Sequence, residues 1–352
     1  MESDNDEWPF VSVIIVNHNA GELLFKTVYS VLNSDYPKDK LEVIIIDNGS
    51  TNGSMHLILN KFHPSSNFTV IRNRENLGWC KAVNMGIKMA KGDFIACLNH
   101  DVVVTDKWLK EVIRVMKANS KIAICQCYSL SPDGKAPDSA MNYLDLFGYA
   151  YSYVAEKEPT EVTFAEAMAW VINRKVIDDI GDLDEDIFIE YDDQDFCWRA
   201  ILAGYKIVFV PSAIVYHYRG RVEGPTYFYR PRRDMLYVRN HLNTLIKHLE
   251  LRNLAKVIPI VLAIEFGKAI YLFIKGKQEI AFATVKGLFS VLRGLKATLR
   301  KRWIIQHKIR RIRDKEAMRY FVRFNPHALK LFLSLQERGK RLIKKGSPLK
   351  CR

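Results

Sequence analysis

Short apolar runs alternate with segments of helical spacing over the first hundred residues of the chain. The apolar runs occupy residues 11–16, 41–50, 67–73 and 92–98, and a helical pattern occupies 79–91. The first run, VSVIIV, has no polar face apart from one serine, as expected for a strand that is covered on both sides. This alternation predicts an α/β fold with a doubly wound, mostly parallel sheet. A further strand is predicted in YKIVFVP, residues 205–211.

The segment after the first strand has a helix-start pattern. Asn19 is followed three residues later by Glu22, which resembles a capping box, and Leu24 and Val28 then share one helical face. We therefore expect the side chain of Asn19 to cap this helix.

Three of the predicted strands end in polar clusters: Asn17-His18-Asn19, Asp47-Asn48-Gly49-Ser50 and Asn99-His100-Asp101. In open parallel sheets, ligands bind beyond the carboxyl ends of the strands. One polar strand end indicates a turn, whereas three on the same edge indicate a binding site. The alternative is three unrelated loops.

A dense group of carboxylates lies at Glu190, Asp192, Asp193 and Asp195. Like charges this close raise at least one pKa or require a cation. If the segment is helical, Arg199 lies one turn after Asp195 and can neutralise it. A carboxylate with a raised pKa is suited to act as a general base. The alternative is the solvated acidic start of a helix.

The phosphate-binding patterns GxxxxGK[ST] and GxGxxG are absent from the sequence. A bound nucleotide would then need a carboxylate-held divalent metal on its diphosphate, and Asp101 is placed for that role. His217 follows an apolar run and is a candidate second ligand, with a buried structural histidine as the alternative. A nitrogen ligand favours Mn²⁺ over Mg²⁺.

The charge is distributed unevenly. Residues 1–229 contain 22 Lys+Arg and 32 Asp+Glu, whereas residues 230–352 contain 31 and 7. We therefore predict two regions, 1–229 and 230–352, the second with an anionic partner.

Residues 282–303 have the pattern of a basic amphipathic helix at a membrane surface; its apolar face comprises Phe282, Val285, Phe289, Leu292, Leu295 and Leu299. The alternatives are a helical bundle packed on the first region and a dimer interface. The positive charges are not interleaved with aromatic residues, so nucleic acid is not expected as a partner.

Three further patterns bear on location. The apolar run 257–274 contains Glu265 and Lys268, so we do not predict a transmembrane helix. Residues 1–10 are acidic, which argues against a signal peptide. Six cysteines without a CxxC pair predict reduced structural thiols in the cytosol. We therefore expect a peripheral or monotopic protein at the cytoplasmic face of the membrane.

Six segments in this order resemble the family 2 glycosyltransferases, which have the GT-A fold, and among them the non-processive, rhamnosyltransferase-like branch. The segments are VSVIIVNHN, VIIIDNGSTNGS, RENLGWCKAVNMGI, ACLNHDVVV, IGDLDEDIFIEYDDQDFCWRAILAGYKIVFVP and YHYRG. They cover residues 10–220, and each alone is weak. The resemblance implies an inverting, metal-dependent transfer of a sugar from a UDP-, dTDP- or GDP-linked donor.

The resemblance also implies residue roles. Donor-binding positions are Asn19, Asp47, Arg74, Gly78 and Asn99. Asp101 and His217 correspond to metal ligands, and Asp193 to the catalytic base. Asp192, Asp195 and Arg199 would support the site or the acceptor, and Asn84 would brace the nucleotide loop.

Two departures from the family pattern matter. Asn99 replaces the first Asp of the metal motif, and Asp192 replaces Glu; an amide accepts hydrogen bonds but has no charge. The Gln-x-x-Arg-Trp signature of processive enzymes is absent after residue 220, which favours the addition of one sugar. With the basic tail, this predicts a lipid-linked saccharide as acceptor. The alternative is a catalytically degenerate module that binds a partner glycosyltransferase at the membrane.

Overall fold

The computed structural model describes residues 7–62, 67–153, 155–219 and 231–324. The α-helices are α1 (Glu22–Leu32), α2 (Ser54–Lys61), α3 (Trp79–Met89), α4 (Trp108–Ala118), α5 (Arg174–Ile180), α6 (Asp192–Leu202), α7 (Pro231–His248), α8 (Leu251–Ile274), α9 (Gln278–Ile304) and α10 (Asp314–Ala317). The strands are β1 (Val11–Asn17), β2 (Leu41–Asn48), β3 (Phe68–Asn73), β4 (Phe94–Asn99), β5 (Val102–Val104), β6 (Ile122–Leu130), β7 (Pro137–Ser139), β8 (Met141–Leu144), β9 (Ala150–Tyr153), β10 (Thr160–Val162), β11 (Ala169–Asn173) and β12 (Lys206–His217). The predicted boundary at residue 229 lies outside the described ranges.

The described strands form one large mixed sheet and a separate hairpin of β8 and β9. The order in the large sheet is β10-β12-β6-β11-β4-β1-β2-β3, with β5 beside β12 and β7 beside β6. Strand β1 is parallel to β2 and β4, β2 is parallel to β3, and β6 is parallel to β12. Strand β11 runs antiparallel between β4 and β6. The predicted α/β fold with mostly parallel strands is therefore confirmed.

Both faces of the sheet are covered by apolar cores. Alternate side chains of β1 point to opposite faces, so Ile14 belongs to one core and Val13 to the other. Neighbouring Ile44 and Val43 on β2 follow the same division. The five cysteines in the described ranges are all buried free thiols, as expected for structural cysteines. Covered faces explain why these strands read as continuous apolar runs.

The C-terminal helices pack against the sheet domain and against each other. A Cβ on Gly287 of α9 would lie 2.8 Å from the carbonyl oxygen of Met235 and 3.0 Å from Cβ of Val238, both in α7. A residue without a side chain is required for this close approach of the two helices. Leu242 and Leu245 of α7 join the core that contains Trp198 of α6. A helical bundle packed on the first region is one of the alternatives stated from the sequence, and α7 packs on the sheet domain in this way.

Helix α8 contains a buried ion pair in an otherwise apolar helix. Glu265 and Lys268 are 1% and 4% exposed, and their Oε2 and Nζ atoms are 2.9 Å apart. The two charges therefore face the protein, while Phe266, Ile270 and Phe273 are exposed on the outside. By length and composition alone, α8 is the one helix in the described ranges that is long and apolar enough to cross a membrane.

The structure confirms the helix predicted over residues 282–303, which forms part of α9. Most of the predicted apolar face of this helix points outward. Phe282, Phe289, Leu292 and Leu299 are 48–65% exposed, whereas the opposite side of the helix, with Ala283, Gly287 and Val291, is buried. The phenyl rings of Phe273 and Phe282 are 6.0 Å apart, so the exposed apolar surfaces of α8 and α9 are continuous. The basic segment after residue 324 lies outside the described ranges.

Candidate functional site

The polar ends of three neighbouring strands lie side by side, as the sequence predicts. Strand β1 is central, with Asn17 opposite Asp47 of β2 and Val16 opposite Asn99 of β4. Because all three strands run in the same direction, their carboxyl ends share one edge of the sheet. The three clusters therefore lie together at one edge as a candidate binding site, and not in three unrelated places.

Asp47 is fixed at this edge by hydrogen bonds. Its carboxylate accepts from the Asn17 side-chain amide at 3.0 Å and from the Ser50 backbone N–H at 3.3 Å. The Arg72 guanidinium forms an ion pair with the second carboxylate oxygen at 3.3 Å. Arg74, the predicted donor-binding residue, lies exposed on the loop that follows β3. Asp47 is thus held rigidly where a ligand at the strand ends would meet it.

Asn19 ties two of these loops together instead of capping a helix. Its side-chain oxygen accepts from the Thr51 N–H at 2.8 Å, and its own N–H donates to Ser50 Oγ at 3.0 Å. Helix α1 begins at Glu22 with Gly21 in the N-cap position and no side-chain cap. The predicted capping box is therefore wrong, because Asn19 adopts a left-handed conformation (φ 56°) and bonds across to the β2 loop.

Gly78 brings the loop before α3 into contact with Phe188, which lies in the segment that leads into α6. At φ 90° its Cβ would lie 2.8 Å from Phe188 Cδ2 and 2.9 Å from the Phe188 carbonyl oxygen. The next residue, Trp79, donates its N–H to that oxygen at 2.8 Å. Asn48, for which no separate role was predicted, holds the same loop by donating to Gly78 O and Asn76 Oδ1 at 3.2 and 3.0 Å. The loop before α3 and the segment that leads into α6 therefore lie directly against each other.

Asn84 braces the other side of the acidic segment. Its amide donates to the Leu183 carbonyl at 2.9 Å and to Glu185 Oε1 at 3.1 Å, and its oxygen accepts from the Leu183 N–H at 3.1 Å. It is 1% exposed. Asn84 is therefore a bracing residue, but its bonds reach residues 183–185 rather than the nucleotide loop that the resemblance implied.

Asp101 and His217 meet because β5 pairs with the end of β12, with Val102 opposite His217. The Asp101 Oδ2 and His217 Nε2 atoms are 3.5 Å apart, and both side chains are largely buried. The other ring nitrogen of His217 lies 2.7 Å from Asp138 Oδ2. A carboxylate behind an imidazole is the arrangement that orients metal-binding histidines. Asp101 and His217 therefore fit a divalent cation, with Asp138 as the orienting group.

The electrostatics of this trio describe an imidazolium held between two carboxylates, and a metal ion at Nε2 would have to replace its proton. Burial alone would lower the pKa of His217, but the hydrogen bonds to Asp101 and Asp138 raise it to about 9. Asp138 also forms an ion pair with Arg219. Among the described residues, no group of three or more His, Cys, Asp and Glu side chains is arranged to hold a metal ion. A cation here would thus take its remaining ligands from substrate or water.

Asp138 and Glu166 are site residues that sequence reasoning missed. Asp138 lies in the turn-rich stretch 131–139 and reaches the site on the short strand β7. Glu166 precedes β11, and burial raises its pKa, with Asp138, His217 and Arg219 among the charges that act on it. The charge of Glu166 is also one of the causes of the raised pKa of Asp193. Neither Asp138 nor Glu166 lies in a sequence motif that would have identified it.

Asp192 and Asp193 form the first turn of α6. They follow Glu190 and Tyr191, two consecutive left-handed residues at φ 69° and 67°. Burial, reinforced by neighbouring carboxylates, raises the pKa of Asp192 to about 7. Burial and the charge of Asp192 raise the pKa of Asp193 well above its usual range. Asp192 and Asp193 are half-buried, which argues against a solvated acidic helix start. A raised pKa makes Asp193 a stronger base once ionised.

Asp195 and Arg199 lie beneath this turn. Their side chains form the ion pair predicted for one helical turn, with Arg199 Nε 3.3 Å from Asp195 Oδ2. Asp195 also pairs with Lys247 of α7, which in turn reaches Asp184 at 2.6 Å. Both residues are buried away from the sheet edge. Asp195 and Arg199 therefore support the first turn of α6 from inside the protein, where they do not contact an acceptor.

Helix α7 holds the strained turn in place through Asn240. The Asn240 amide, in a side chain that is 2% exposed, donates to the carbonyl oxygens of Ile189 and Glu190 at 3.0 and 2.9 Å. Arg233 of the same helix forms an ion pair with the Glu190 carboxylate. Left-handed non-glycine residues persist only where surrounding contacts hold them. Asn240 is therefore a positioning residue for Asp192 and Asp193.

Replacing Asn240 with Leu removes both donated bonds without a large change in volume. We expect kcat to fall by about tenfold to a hundredfold, because small displacements of catalytic groups carry penalties of that size. The donor KM should change little, since the donor loops do not contact Asn240. Asn243→Leu, on the same helix, is the control, because the Asn243 side-chain oxygen accepts a hydrogen bond from Thr298 Oγ1 of α9 at 3.3 Å. Steady-state kinetics of both variants test this, and a wild-type kcat in Asn240→Leu would contradict it.

Comparison with known proteins agrees with this geometry. The profile of the family "Glycosyl transferase family 2" matches residues 12–181. Poly-beta-1,6-N-acetyl-D-glucosamine synthase of Staphylococcus epidermidis is 25% identical over 218 residues, which are 61% of this chain and 51% of that protein. The chain thus spans about half the length of this relative.

Two solved structures share the GT-A fold with this chain. GalNAc-T7 with UDP, GalNAc and Mn²⁺ superimposes with a TM-score of 0.57 at 19% identity, over 69% of this chain and 48% of that one. The mannosyltransferase PcManGT of Pyrobaculum calidifontis, in complex with GDP-Man and Mn²⁺, gives 0.55 at 16% identity, over 82% and 88%. The acidic turn and His217 lie beyond the end of the family match.

Proposed function

This chain is a member of the family 2 glycosyltransferases, and we propose that it transfers one sugar, with inversion, from a nucleoside diphosphate sugar to a hydroxyl of a lipid-linked saccharide. The observation that carries the proposal is the joint placement of two groups at one sheet edge. These are the Asp101–His217 pair, 3.5 Å apart, and the half-buried acidic turn with Asp193, whose preceding segment is joined to the loop before α3 by the hydrogen bond from the Trp79 N–H to the Phe188 carbonyl at 2.8 Å.

The donor occupies the edge formed by the ends of β1, β2 and β4. Asp47 and Asn19 contact the base and ribose, with Arg74, Gly78 and Asn99 around them. Asp101 and His217 hold a divalent cation, Mn²⁺ or Mg²⁺, which when bound neutralises the charge that develops on the departing diphosphate. The structures of GalNAc-T7 with UDP and Mn²⁺ and of PcManGT with GDP-Man and Mn²⁺ support this assignment.

Asp193 takes the proton from the acceptor hydroxyl. The hydroxyl oxygen forms a bond to the anomeric carbon as the bond from that carbon to the diphosphate oxygen breaks on the opposite face. The electron pair leaves with the nucleoside diphosphate, and the anomeric configuration inverts. Asp192 and Glu166 act on this step by keeping the pKa of Asp193 high. Raising the basicity of the carboxylate increases the driving force for proton transfer.

The acceptor is placed at the cytoplasmic face of an anionic membrane by the outer surfaces of α8 and α9. These surfaces combine exposed apolar side chains such as Ile270, Phe273, Phe282 and Phe289 with exposed Lys and Arg. Apolar burial and attraction to anionic lipid act together at such a surface. The same face could instead pair two copies of the chain; a doubled mass in solution without lipid would identify that arrangement.

Thermal unfolding with UDP, dTDP and GDP, each with and without Mn²⁺, tests the donor site. A ligand present at 100 times its Kd stabilises the folded state by about 2.7 kcal/mol. We expect one nucleotide to raise the melting temperature only when Mn²⁺ is present, and the Asp101→Ala variant to lose that shift. No shift with any nucleotide, in folded protein, would contradict the proposed donor site.

A further inference from the structure

Helix α8 carries an ion pair on its inner side that the proposed reaction does not use. Glu265 and Lys268 are almost fully buried in an otherwise apolar stretch of the helix. Removing two charges from water costs about as much as their attraction returns, so apolar side chains at both positions would give an equally stable protein. The contacts of the two charges therefore indicate what the pair does.

Glu265 holds the loop 145–149, which joins β8 and β9. Its Oε1 atom accepts a hydrogen bond from the Tyr149 hydroxyl at 3.2 Å. Within the loop, the buried carboxylate of Asp145 accepts from the backbone N–H groups of Phe147 and Tyr149 at 2.8 and 3.0 Å. The loop thus has its own framework of hydrogen bonds and an anchor on α8.

The same loop holds Tyr191, the residue that precedes Asp192 in the acidic turn. The Tyr191 hydroxyl donates to the Gly148 carbonyl at 2.9 Å. The Tyr191 ring stacks on His241 of α7, with the ring centres 5.0 Å apart and the planes at 18°. His241 also contacts the loop, because its Nε2 atom donates to the Phe147 carbonyl at 2.7 Å. Tyr191 is therefore fixed by the loop and by α7 together.

Lys268 reaches Tyr191 by a second route. Its Nζ atom lies 5.7 Å from the centre of the Tyr237 ring, in a cation–π arrangement. Tyr237 of α7 packs edge-on against Tyr191, with the ring centres 5.1 Å apart. Both members of the ion pair are thus connected to the acidic turn, Lys268 through one tyrosine and Glu265 through the loop.

We infer that the Glu265–Lys268 pair of α8 positions the acidic turn. The pair acts on Tyr191 through Tyr149 and Tyr237. The inference rests on the proposed function, in which this turn supplies the base, and it adds α8 to the elements that position that base. Tyr191 has a left-handed backbone, which is unfavourable for a residue with a side chain, so weaker contacts allow it to relax.

Sugar transfer by the full chain carrying Glu265→Met/Lys268→Met tests the inference. Methionine fills a similar volume without a charge, so the melting temperature should stay close to that of the wild type. We expect kcat to fall about tenfold and the donor KM to change less than about twofold, because a displaced base slows transfer without altering the donor site.

Tyr149→Phe removes only the hydrogen bond to Glu265. It should lower kcat about threefold, the effect of one hydrogen bond. Added to the methionine double variant, it should have no further effect, because that bond is already lost. Glu265→Gln keeps an oxygen that accepts from Tyr149, so its kcat should stay within about twofold of the wild-type value.

Tyr205→Phe is the matched control for Tyr149→Phe. It also removes a hydrogen bond from a tyrosine hydroxyl to a carboxylate, that of Asp179 at 2.8 Å. Tyr205 follows the carboxyl end of α6, whereas the acidic turn lies at the amino end of this helix. The kcat of this variant should therefore equal that of the wild type.

Amide hydrogen exchange gives a second readout that does not depend on activity. The Asp195 N–H donates to the Tyr191 carbonyl at 3.0 Å, in the first turn of α6. In the methionine double variant, a peptide that covers residues 189–196 should exchange about tenfold faster, because local opening controls exchange. A peptide that covers β1 should exchange at the wild-type rate.

A wild-type kcat in the methionine double variant would overturn the inference. Equal acceleration of exchange in β1 and in residues 189–196 would also overturn it, because the pair would then stabilise the whole fold and not the turn. If the wild-type chain transfers no sugar, the proposed function fails, and the exchange result alone decides whether the pair holds the turn.

Discussion

Replacing Asp193 with Asn is expected to lower kcat by about a hundredfold to ten-thousandfold, the range that general base catalysis contributes. The amide keeps the shape of the carboxylate but cannot accept the proton of the acceptor hydroxyl. Binding of the nucleotide should be nearly unchanged, because Asp47 and Asp101 remain in place. Kinetics with a radiolabelled donor, together with the Mn²⁺-dependent unfolding shift, measure both quantities. Full activity in this variant would exclude Asp193 as the base.

Asp192→Asn is the matched control for that variant. The charge of Asp192 is, after burial, the largest cause of the raised pKa of Asp193. Its removal should lower the pKa of Asp193, so that the base ionises at lower pH. The wild-type kcat rises with pH as Asp193 ionises, and this rise should move to lower pH in Asp192→Asn. An unchanged pH profile would show that the two carboxylates do not interact during turnover.

Replacing Lys247 with Met is expected to lower the free energy of unfolding by about 3–5 kcal/mol, the range observed when one partner of a buried ion pair is removed. The Lys247 side chain is 3% exposed and pairs with both Asp184 and Asp195, which are almost fully buried. Without it, Asp195 keeps the buried Arg199, whereas Asp184 keeps only the partly exposed Lys301. Urea unfolding measures the change.

Lys301→Met provides the comparison for Lys247. Lys301 also pairs with Asp184, but its side chain is 32% exposed, so we expect a loss of about 1 kcal/mol or less. Equal stability of the Lys247 variant and the wild type would show that the buried pairs do not stabilise the fold.

The same network predicts how stability depends on pH. Burial would raise the pKa of Asp184 and Asp195, but Lys247 and its neighbours hold both below the usual range. Because the folded-state pKa values lie below those of the unfolded chain, the stabilisation is present above about pH 4. It is lost as the pH falls through the folded-state values. The Lys247 variant should show a smaller loss of stability in acid.

The sheet and one half of the site could be predicted because their signals are local. A strand covered on both faces must be apolar throughout, so β1, β2 and β4 are visible as uninterrupted runs. The polar residues that end them fall on one edge because parallel strands share a direction. Asp47, Asn99 and Asp101 follow from that rule alone. The carboxylate cluster at 190–195 is visible for a similar reason, since its density is improbable without a function.

Other site residues depend on contacts between distant parts of the chain. Asp138 orients His217 across 79 residues, and Asn240 holds the carbonyls of residues 189 and 190 from a helix that the sequence assigned to a separate region. Neither residue differs in local pattern from an ordinary loop aspartate or helix asparagine. The capping prediction for Asn19 failed for the same reason, because a tertiary hydrogen bond replaced the local one.

The sequence by itself determined the alternation of strands and helices, the polar strand ends, and the basic, amphipathic character of the C-terminal helices. These properties follow from burial and periodicity within single segments. Only the tertiary structure decided that Glu265 and Lys268 face inward, that α7 braces the acidic turn, and that Tyr149 and Tyr237 lie between α8 and that turn. Those outcomes depend on which helix faces pack together, and packing is set by the shapes of surfaces from segments far apart in the chain.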